Sequence, residues 1–317
     1  MARVSYDGGI LVEVRGRKIL FDPVRLPSQR PDLIAISHAH SDHVNLGVLR
    51  RVRAPILMSL ATLKLLSVKG SLRGLDVRVI EEGEAAEVCG IAIEARSAGH
   101  IVGSLQYLLL TEPLIAYTGD FNDEARVVLR PARPVKTDVL IMEATYGDPY
   151  YSFPPRPINY RRLLESIRSS LEAGKMVVVT GRSPGVAQEL VVLLSHSSFK
   201  EEYAVHPSIL NETLLHLREE GFGIQFRVSA TPKDTPVLIA KLSSRFSRYG
   251  RGAVILTCTG WALRSKRGVP LSSHADYSSL VNYAESCEAD EIYTVYGYSS
   301  RLALELRRRG LNARALR

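Results

Sequence analysis

The string His38-Ala39-His40-Ser41-Asp42-His43 places four side chains of metal-ligating type within six residues. It follows the apolar run Leu33-Ile34-Ala35-Ile36, so it reads as a loop leaving a buried strand. Side chains so closely spaced cannot share one face of one element, and they converge only if the loop wraps around something. Imidazole and carboxylate donors suit zinc-like cations. A lone histidine at a strand end is usually just hydrogen-bonded, but an HxHxDH string is a far more specific signal. Three further strand ends carry groups of the same type: Ser97-Ala98-Gly99-His100, Tyr117-Thr118-Gly119-Asp120 and Phe21-Asp22-Pro23. Each is ordinary in isolation, a histidine after a glycine turn or an aspartate in a turn. Met142-Glu143-Ala144-Thr145-Tyr146-Gly147 closes another apolar run, and Ser272-Ser273-His274-Ala275-Asp276 comes much later. His274 alone reads as an exposed loop histidine. Beside a carboxylate it could donate a proton near neutral pH.

The elements that must position these groups fall into two textures. Up to about residue 149 the pattern is short β segments: Ile10–Val14 and Lys18–Phe21 around the turn Arg15-Gly16-Arg17, then Asp32–Ser37, Ala54–Met58, Val77–Ile80, Ala92–Ala95, Gln106–Leu110, Leu114–Thr118 and Val139–Met142. Leu60, Leu63 and Leu66 recur three apart and predict a helix, and Leu46 with Leu49 a shorter one. Tyr150–Pro157 carries three prolines and reads as a boundary. After it, helices near Asn159–Glu172, Gly185–Leu194 and Glu212–Glu220 alternate with strands at Met176–Thr180, Val237–Ala240 and Ala253–Cys258, which predicts a parallel sheet covered by helices. The chain ends in a helix (Ser278–Ser286), a strand (Glu291–Val295) and an Arg-rich helix (Ser300–Arg309). This gives an α/β protein with domains at 1–155 plus 265–317 and at 156–264.

With 45% hydrophobic and 23% charged residues among 317, collagen, coiled-coil and disordered classes drop out. No apolar run approaches the ~18 to 20 residues of a membrane helix. The start lacks a signal-peptide core, and three scattered cysteines suit a reducing compartment, so a cytoplasmic location is expected. The net charge of +8 is unevenly placed. Residues 1–150 balance 18 basic against 18 acidic groups, so the whole excess lies beyond. Between Thr235 and Ser273 there is no acid, against Lys241, Arg245, Arg248, Arg251, Arg264, Lys266 and Arg267. Such asymmetry suits a polyanion binder or a merely solvated basic surface.

HxHxDH followed by a histidine and an aspartate, each closing a strand, resembles the metallo-β-lactamase superfamily over roughly residues 1–150. The acid before Thr-Tyr-Gly and the distant Ser-His-Ala-Asp resemble its β-CASP nuclease branch, in which a cap domain is inserted into the αββα sandwich. Gly181-Arg182, Ala187-Gln188-Glu189-Leu190, Gly260-Trp261 and Ser272-Ser273-His274 look most like the ligase-associated exonucleases of bacteria and archaea, although Ser183–Val186 interrupts the usual Gly-Arg-x-Gln-Glu arrangement. The resemblance implies two zinc ions, with manganese as an alternative. His38, His40 and His100 would hold one, Asp42 and His43 the other, and Asp120 would bridge them. Asp22 would orient the ligand loop. His274 would be the general acid, oriented by Glu143, with Asp42 the third catalytic group. Many β-CASP enzymes ligate the second ion with the histidine of a Val-His-Gly sequence. Here Tyr296 stands in that place, a poor neutral ligand with a pKa near ~10, so it is expected to line the site or to be packing, and the second ion to be weakly held.

The expected function is hydrolysis of phosphodiester bonds in single-stranded nucleic acid by a metal-bound hydroxide, more on the side of a DNA exonuclease. DNA-repair partners such as a ligase are implied, and no membrane. Arg182 and the seven cations of the acid-free stretch would grip the substrate, with Trp261, Phe246 or Tyr249 stacking on bases. As the only tryptophan, Trp261 is expected first as a core residue. The alternatives are an RNA-processing ribonuclease and a small-molecule hydrolase of thioesterase or lactonase type on the same metal core.

Overall fold

The computed structural model describes residues 2–243, 252–263, 265 and 267–316. Two compact units are present. The first comprises residues 1–124, 130–150 and 274–317, and the second 125–129 and 151–273.

The first unit contains two sheets. One runs β1 (Arg3–Tyr6), β2 (Ile10–Val14), β3 (Arg17–Phe21), β4 (Leu33–Ala35), β5 (Ile56–Met58) and β6 (Val77–Val79) in sequence order. Its first three strands form an antiparallel meander, and β3 through β6 are parallel. Parallel neighbours need crossovers: a loop joins β3 to β4, α1 (Leu46–Val52) joins β4 to β5, and α2 (Leu60–Lys69) joins β5 to β6. The other sheet has the order β19 (Ala313–Ala315), β18 (Glu291–Val295), β11 (Val139–Glu143), β10 (Ile115–Tyr117), β9 (Leu105–Leu109), β8 (Ile91–Ser97), β7 (Ala85–Val88). Alternate residues of both sheets, among them Val12, Ile19, Phe21, Ile93, Tyr107, Tyr117 and Ile141, meet in one apolar layer. The opposite-facing set of the second sheet, including Leu140, Met142 and Ile292, packs against α6 (Tyr277–Ser286) and α7 (Ser299–Arg308). The period of two thus builds a layered α/β sandwich whose central strands are buried on both faces.

The second unit is inserted between β11 and α6. Its sheet has the order β14 (Arg227–Val228), β13 (Tyr203–Val205), β15 (Val237–Lys241), β12 (Met176–Gly181), β16 (Ala253–Cys258), β17 (Gly268–Val269), all parallel. Helices α3 (Arg156–Glu172) and α4 (Val186–Ser195) pack on it through Leu163, Ile167, Leu190 and Leu194. A third helix, α5 (Leu210–Glu219), completes the unit. The unit extends further than the sequence pattern indicates. Val269 and Leu271 join its apolar core, which carries the chain up to Ser273 with it, rather than to residue 264.

Candidate metal centre

The ligand loop leaves β4 through Ile36 and Ser37, which are clamped between the sheets. Ile36 N donates to Leu57 O at 2.9 Å, and Ser37 O accepts from Leu105 N at 2.8 Å. His43 N and Val44 N then both donate to His40 O at 3.1 Å, turning the loop back on itself, and Lys69 Nζ donates to Ala39 O. Gly119 (φ +54°) lets the loop carrying Asp120 approach so closely that a Cβ there would lie 2.5 Å from Ser37 Cβ. His100 is set by a turn in which Ser104 Oγ accepts from its backbone N–H at 3.1 Å.

These devices bring His38, His40, His43, His100 and Asp120 together, all buried. Three overlapping donor groups result, each with atoms within 4.8 Å of one another: His38, His40, His100 and Asp120; Asp22, His38 and His43; and Asp120, Glu143 and His274. Asp120 belongs to two of them, with its Oδ2 3.1 Å from His43 Nε2, 3.5 Å from His38 Nε2 and 3.7 Å from His100 Nε2.

Hydrogen bonds from behind fix the tautomers. Asp22 accepts from Ser37 N (2.7 Å), Ser37 Oγ (2.5 Å), His43 Nδ1 (2.8 Å) and Tyr117 Oη (2.7 Å). With Ser37 Oγ donating to Asp22, its lone pair is left to accept from His38 Nδ1 at 2.9 Å. Asp22 thereby turns the Nε2 atoms of His38 and His43 inward. Tyr296 Oη, 3.0 Å from Tyr117 Oη, completes the chain. Because Tyr117 gives its proton to Asp22, Tyr296 is the donor to Tyr117. Burial, with Asp22 beside them, pushes both phenols well above their usual pKa, so both keep their protons.

The donor set fits a cation. His40 Nδ1 lies 3.0 Å from His38 Nε2 and 3.1 Å from His100 Nε2, yet it has at most one proton to share. One proton cannot lie on both contact lines, so the two contacts compete for it unless another proton enters. Burial, with His43 and His100 adding to it, opposes that by holding His38 well below its usual pKa. A divalent cation relieves all three nitrogens at once, and three imidazoles with one carboxylate match a zinc-type donor set. Burial disfavours charge on His43 and on Asp120, but their mutual attraction, helped by Asp22 at the one and His274 at the other, outweighs it. His43 is raised and Asp120 lowered well beyond their usual values.

On the other side of Asp120, His274 Nδ1 lies 3.0 Å and 3.1 Å from the two oxygens of Glu143. Glu143, fully buried at the end of β11, also accepts from Phe121 N at 2.8 Å and Thr145 N at 3.3 Å. Asn122 Nδ2 donates to His274 O at 2.9 Å and fixes that loop. The turn after β18 is tied to the Glu143 loop: Tyr298 N donates to Ala144 O at 2.7 Å, and a Cβ on Gly297 would fall 2.4 Å from the same oxygen. Tyr296 precedes that glycine with φ +61°, a left-handed conformation uncommon for a bulky residue.

Asp42 is exposed and belongs to none of the three donor groups. Arg182 follows β12 and is half-buried, while Lys241 and Arg267 are exposed on the second unit. Arg245, Arg248, Arg251, Arg264 and Lys266, with Phe246 and Tyr249, lie outside the described residues. Trp261 corrects the expectation of a core indole. It sits in a short turn, Gly260–Ala262, with 56% of its surface exposed. Sequence reasoning passed over Ser37 and Tyr117. Ser37 adjoins one quoted motif and Tyr117 opens another, but their roles depend on the side chain of Asp22, fifteen or more residues away.

Residues 9–107 match the family described as Beta-lactamase superfamily domain. The chain is 29% identical to a "Probable DNA ligase" of Opitutus terrae, over 89% of this chain and 28% of that protein. It is 28% identical to an "RNase J-like protein" of Methanocaldococcus jannaschii, over 58% of this chain and 48% of the other. A ribonuclease of Thermus thermophilus is 29% identical over 61% and 53%. The chain thus spans between about a quarter and a half of the length of these relatives. In fold it is like a crystal structure of a protein of unknown function from Enterococcus faecalis V583, with a TM-score of 0.63 at 15% identity, over 92% of this chain and 93% of that one. Among the described residues no helix is long and apolar enough to cross a membrane.

Proposed function

We propose that this chain, built around a metallo-β-lactamase superfamily domain, is a β-CASP-type nuclease that hydrolyses phosphodiester bonds of single-stranded nucleic acid, as a DNA exonuclease. The observation that carries the reading is the sharing of Asp120 between the His38–His40–His100 cage and the Glu143–His274 pair. A cation cage alone would serve many hydrolases. A buried, carboxylate-held imidazole beside it adds the proton donor that a poor alkoxide leaving group requires.

His38, His40, His100 and Asp120 would hold one zinc ion, and His43 with Asp120 a second, weaker one, to which Asp42, exposed and outside the donor groups, would add its carboxylate only by turning inward. Bound there, the metal supplies Lewis-acid neutralisation of charge developing on the phosphate and lowers the pKa of water. The protein's own groups do the rest. Glu143 retains the Nδ1 proton of His274 and so leaves Nε2 as the atom that passes a proton to the departing oxygen. Asp22, through Ser37 and directly, keeps the imidazoles of His38 and His43 facing inward. The acid-free stretch from Thr235 to Ser273 and the net charge of +8 favour a polyanionic substrate. Similarity to part of a probable DNA ligase supports DNA as substrate and a DNA ligase as partner.

A second reading, cleavage of RNA, is favoured by the names of the RNase J-like and ribonuclease relatives. One experiment separates them: a time course with zinc- or manganese-loaded protein on 5′- and 3′-labelled DNA and RNA, single- and double-stranded. Progressive shortening of single-stranded DNA from one labelled end supports the first reading, and preferential RNA cleavage the second. Absence of cleavage of any of them overturns both.

A further inference from the structure

The exposed indole of Trp261 belongs to the chain's only tryptophan, a residue type that usually hides most of its area. It is held in place rather than frayed. Thr259 Oγ1 accepts from Trp261 N at 3.5 Å, Ala262 N donates to Thr259 O at 3.0 Å, and Ser265 N to Ala262 O at 2.9 Å. Its ring meets Tyr151 edge to face, with centroids 5.1 Å apart at 82°. The turn leaves the carboxyl end of β16. Register sets Gly181 of β12 opposite both Cys258 of β16 and Lys241 of β15. Arg182, Lys241 and Trp261 therefore issue from one edge of three adjacent parallel strands, the edge at which parallel sheets gather ligands.

The chemistry at that edge is selective. Arg182 and Lys241 supply cations there, and the surrounding sequence from Thr235 to Ser273 carries no acid, which together favour a polyanion. A fixed aromatic surface calls for a flat apolar face on the same ligand. A duplex offers phosphates but keeps its base faces stacked, and an acidic peptide offers carboxylates without repeated flat faces. Single-stranded nucleic acid offers both. We infer that Trp261, backed by Tyr151, is a stacking subsite for one unpaired base, with Arg182 and Lys241 taking the neighbouring phosphates. The inference rests on the nuclease reading for its substrate and adds the residue that selects unpaired bases.

The single tryptophan makes the test direct. The full chain, kept in chelator so that nothing is cleaved, is titrated with oligo-dT, oligo-rU and a duplex of equal length while tryptophan fluorescence is followed. Anisotropy of labelled oligonucleotide measures binding in parallel. Quenching by a single strand, absent with duplex, is expected, together with binding about tenfold weaker in Trp261→Ala and near normal in Trp261→Phe. Quenching by the DNA, the RNA or both supports the subsite and tells which sugar it tolerates. Binding with unchanged fluorescence and unchanged Trp261→Ala affinity overturns the subsite but leaves the nuclease reading intact, as does equal quenching by duplex. Failure of every nucleic acid to bind, with no hydrolysis when metal is restored, overturns both.

Discussion

Tyr296, just after β18, and Tyr117, the last residue of β10, place their hydroxyls 3.0 Å apart, their strands lying on either side of β11 in the second sheet. Through Tyr117 the pair reaches Asp22, and through Asp22 it reaches His43. Tyr296→Phe removes the outermost donor and keeps the ring, whose centroid lies 4.8 Å from that of His43. Zinc affinity in a competitive chelator titration should fall only a few-fold, whereas Asp22→Ala should cost about 10- to 100-fold. Equal losses in the two variants would show that Tyr296 acts on the cation in some other way than through the chain.

Asp120 is the group the cage and the proton-donor pair have in common. Asp120→Asn keeps its shape and removes its charge, leaving His43 between fewer anions. Bound zinc, measured by elemental analysis after dialysis, should drop, and phosphodiester hydrolysis should fall by at least about 100-fold. Substantial activity in this variant, or in His38→Ala, would rule out the proposed centre.

Glu143→Gln preserves a hydrogen-bonding partner for His274 but withdraws the buried negative charge. If His274 delivers the proton, kcat should fall by about 10²- to 10⁴-fold with KM little changed. Metal content should stay near that of the parent chain. A rise in KM alone would assign the pair to binding instead of proton transfer.

The second unit should be acid-labile for a reason of its own, independent of the proposed metal centre. Burial works against the charge on Glu189, but Arg126 and Arg156, at 2.8 Å and 2.6 Å, outweigh it and hold the carboxyl at about 2, below 4.5. Burial, with Arg126 adding to it, takes His216 from 6.5 to about 3. Both folded values lie below the unfolded ones, so as the pH falls the unfolded chain takes up protons that the native unit refuses. Stability is full above about pH 6.5. It then declines by about 1.4 kcal/mol per pH unit for His216, and more steeply below about 4.5 as Glu189 joins. Denaturant midpoints against pH, with His216→Phe abolishing the upper part of the decline, check this. A flat profile from neutrality to about pH 5 would contradict it.

The ligand loop was legible because six consecutive residues carry it, and His100 and Asp120 because each closes a strand that the period of two reveals. Glu143 and His274 are 131 residues apart in sequence, and only the family resemblance pairs them. Tyr117 and Ser37 escaped notice because hydrogen bonds to one carboxylate leave no periodic trace. The extent of the inserted unit was misjudged because β17 is only two residues long, and its membership is decided by pairing with β16. Trp261 was misread for a related reason: composition says how rare tryptophan is, while exposure depends on a turn held by backbone hydrogen bonds.

Asp22 has one further consequence. Its two oxygens already accept four hydrogen bonds, so this carboxylate is withdrawn from direct coordination although it lies within reach of the cage. What remains around the central point is rich in nitrogen and poor in oxygen. Magnesium and calcium, which demand oxygen-rich shells, should therefore compete weakly with zinc at the proposed centre. On that reading the back-side hydrogen bonds would act as an ion filter, favouring imidazole-seeking metals.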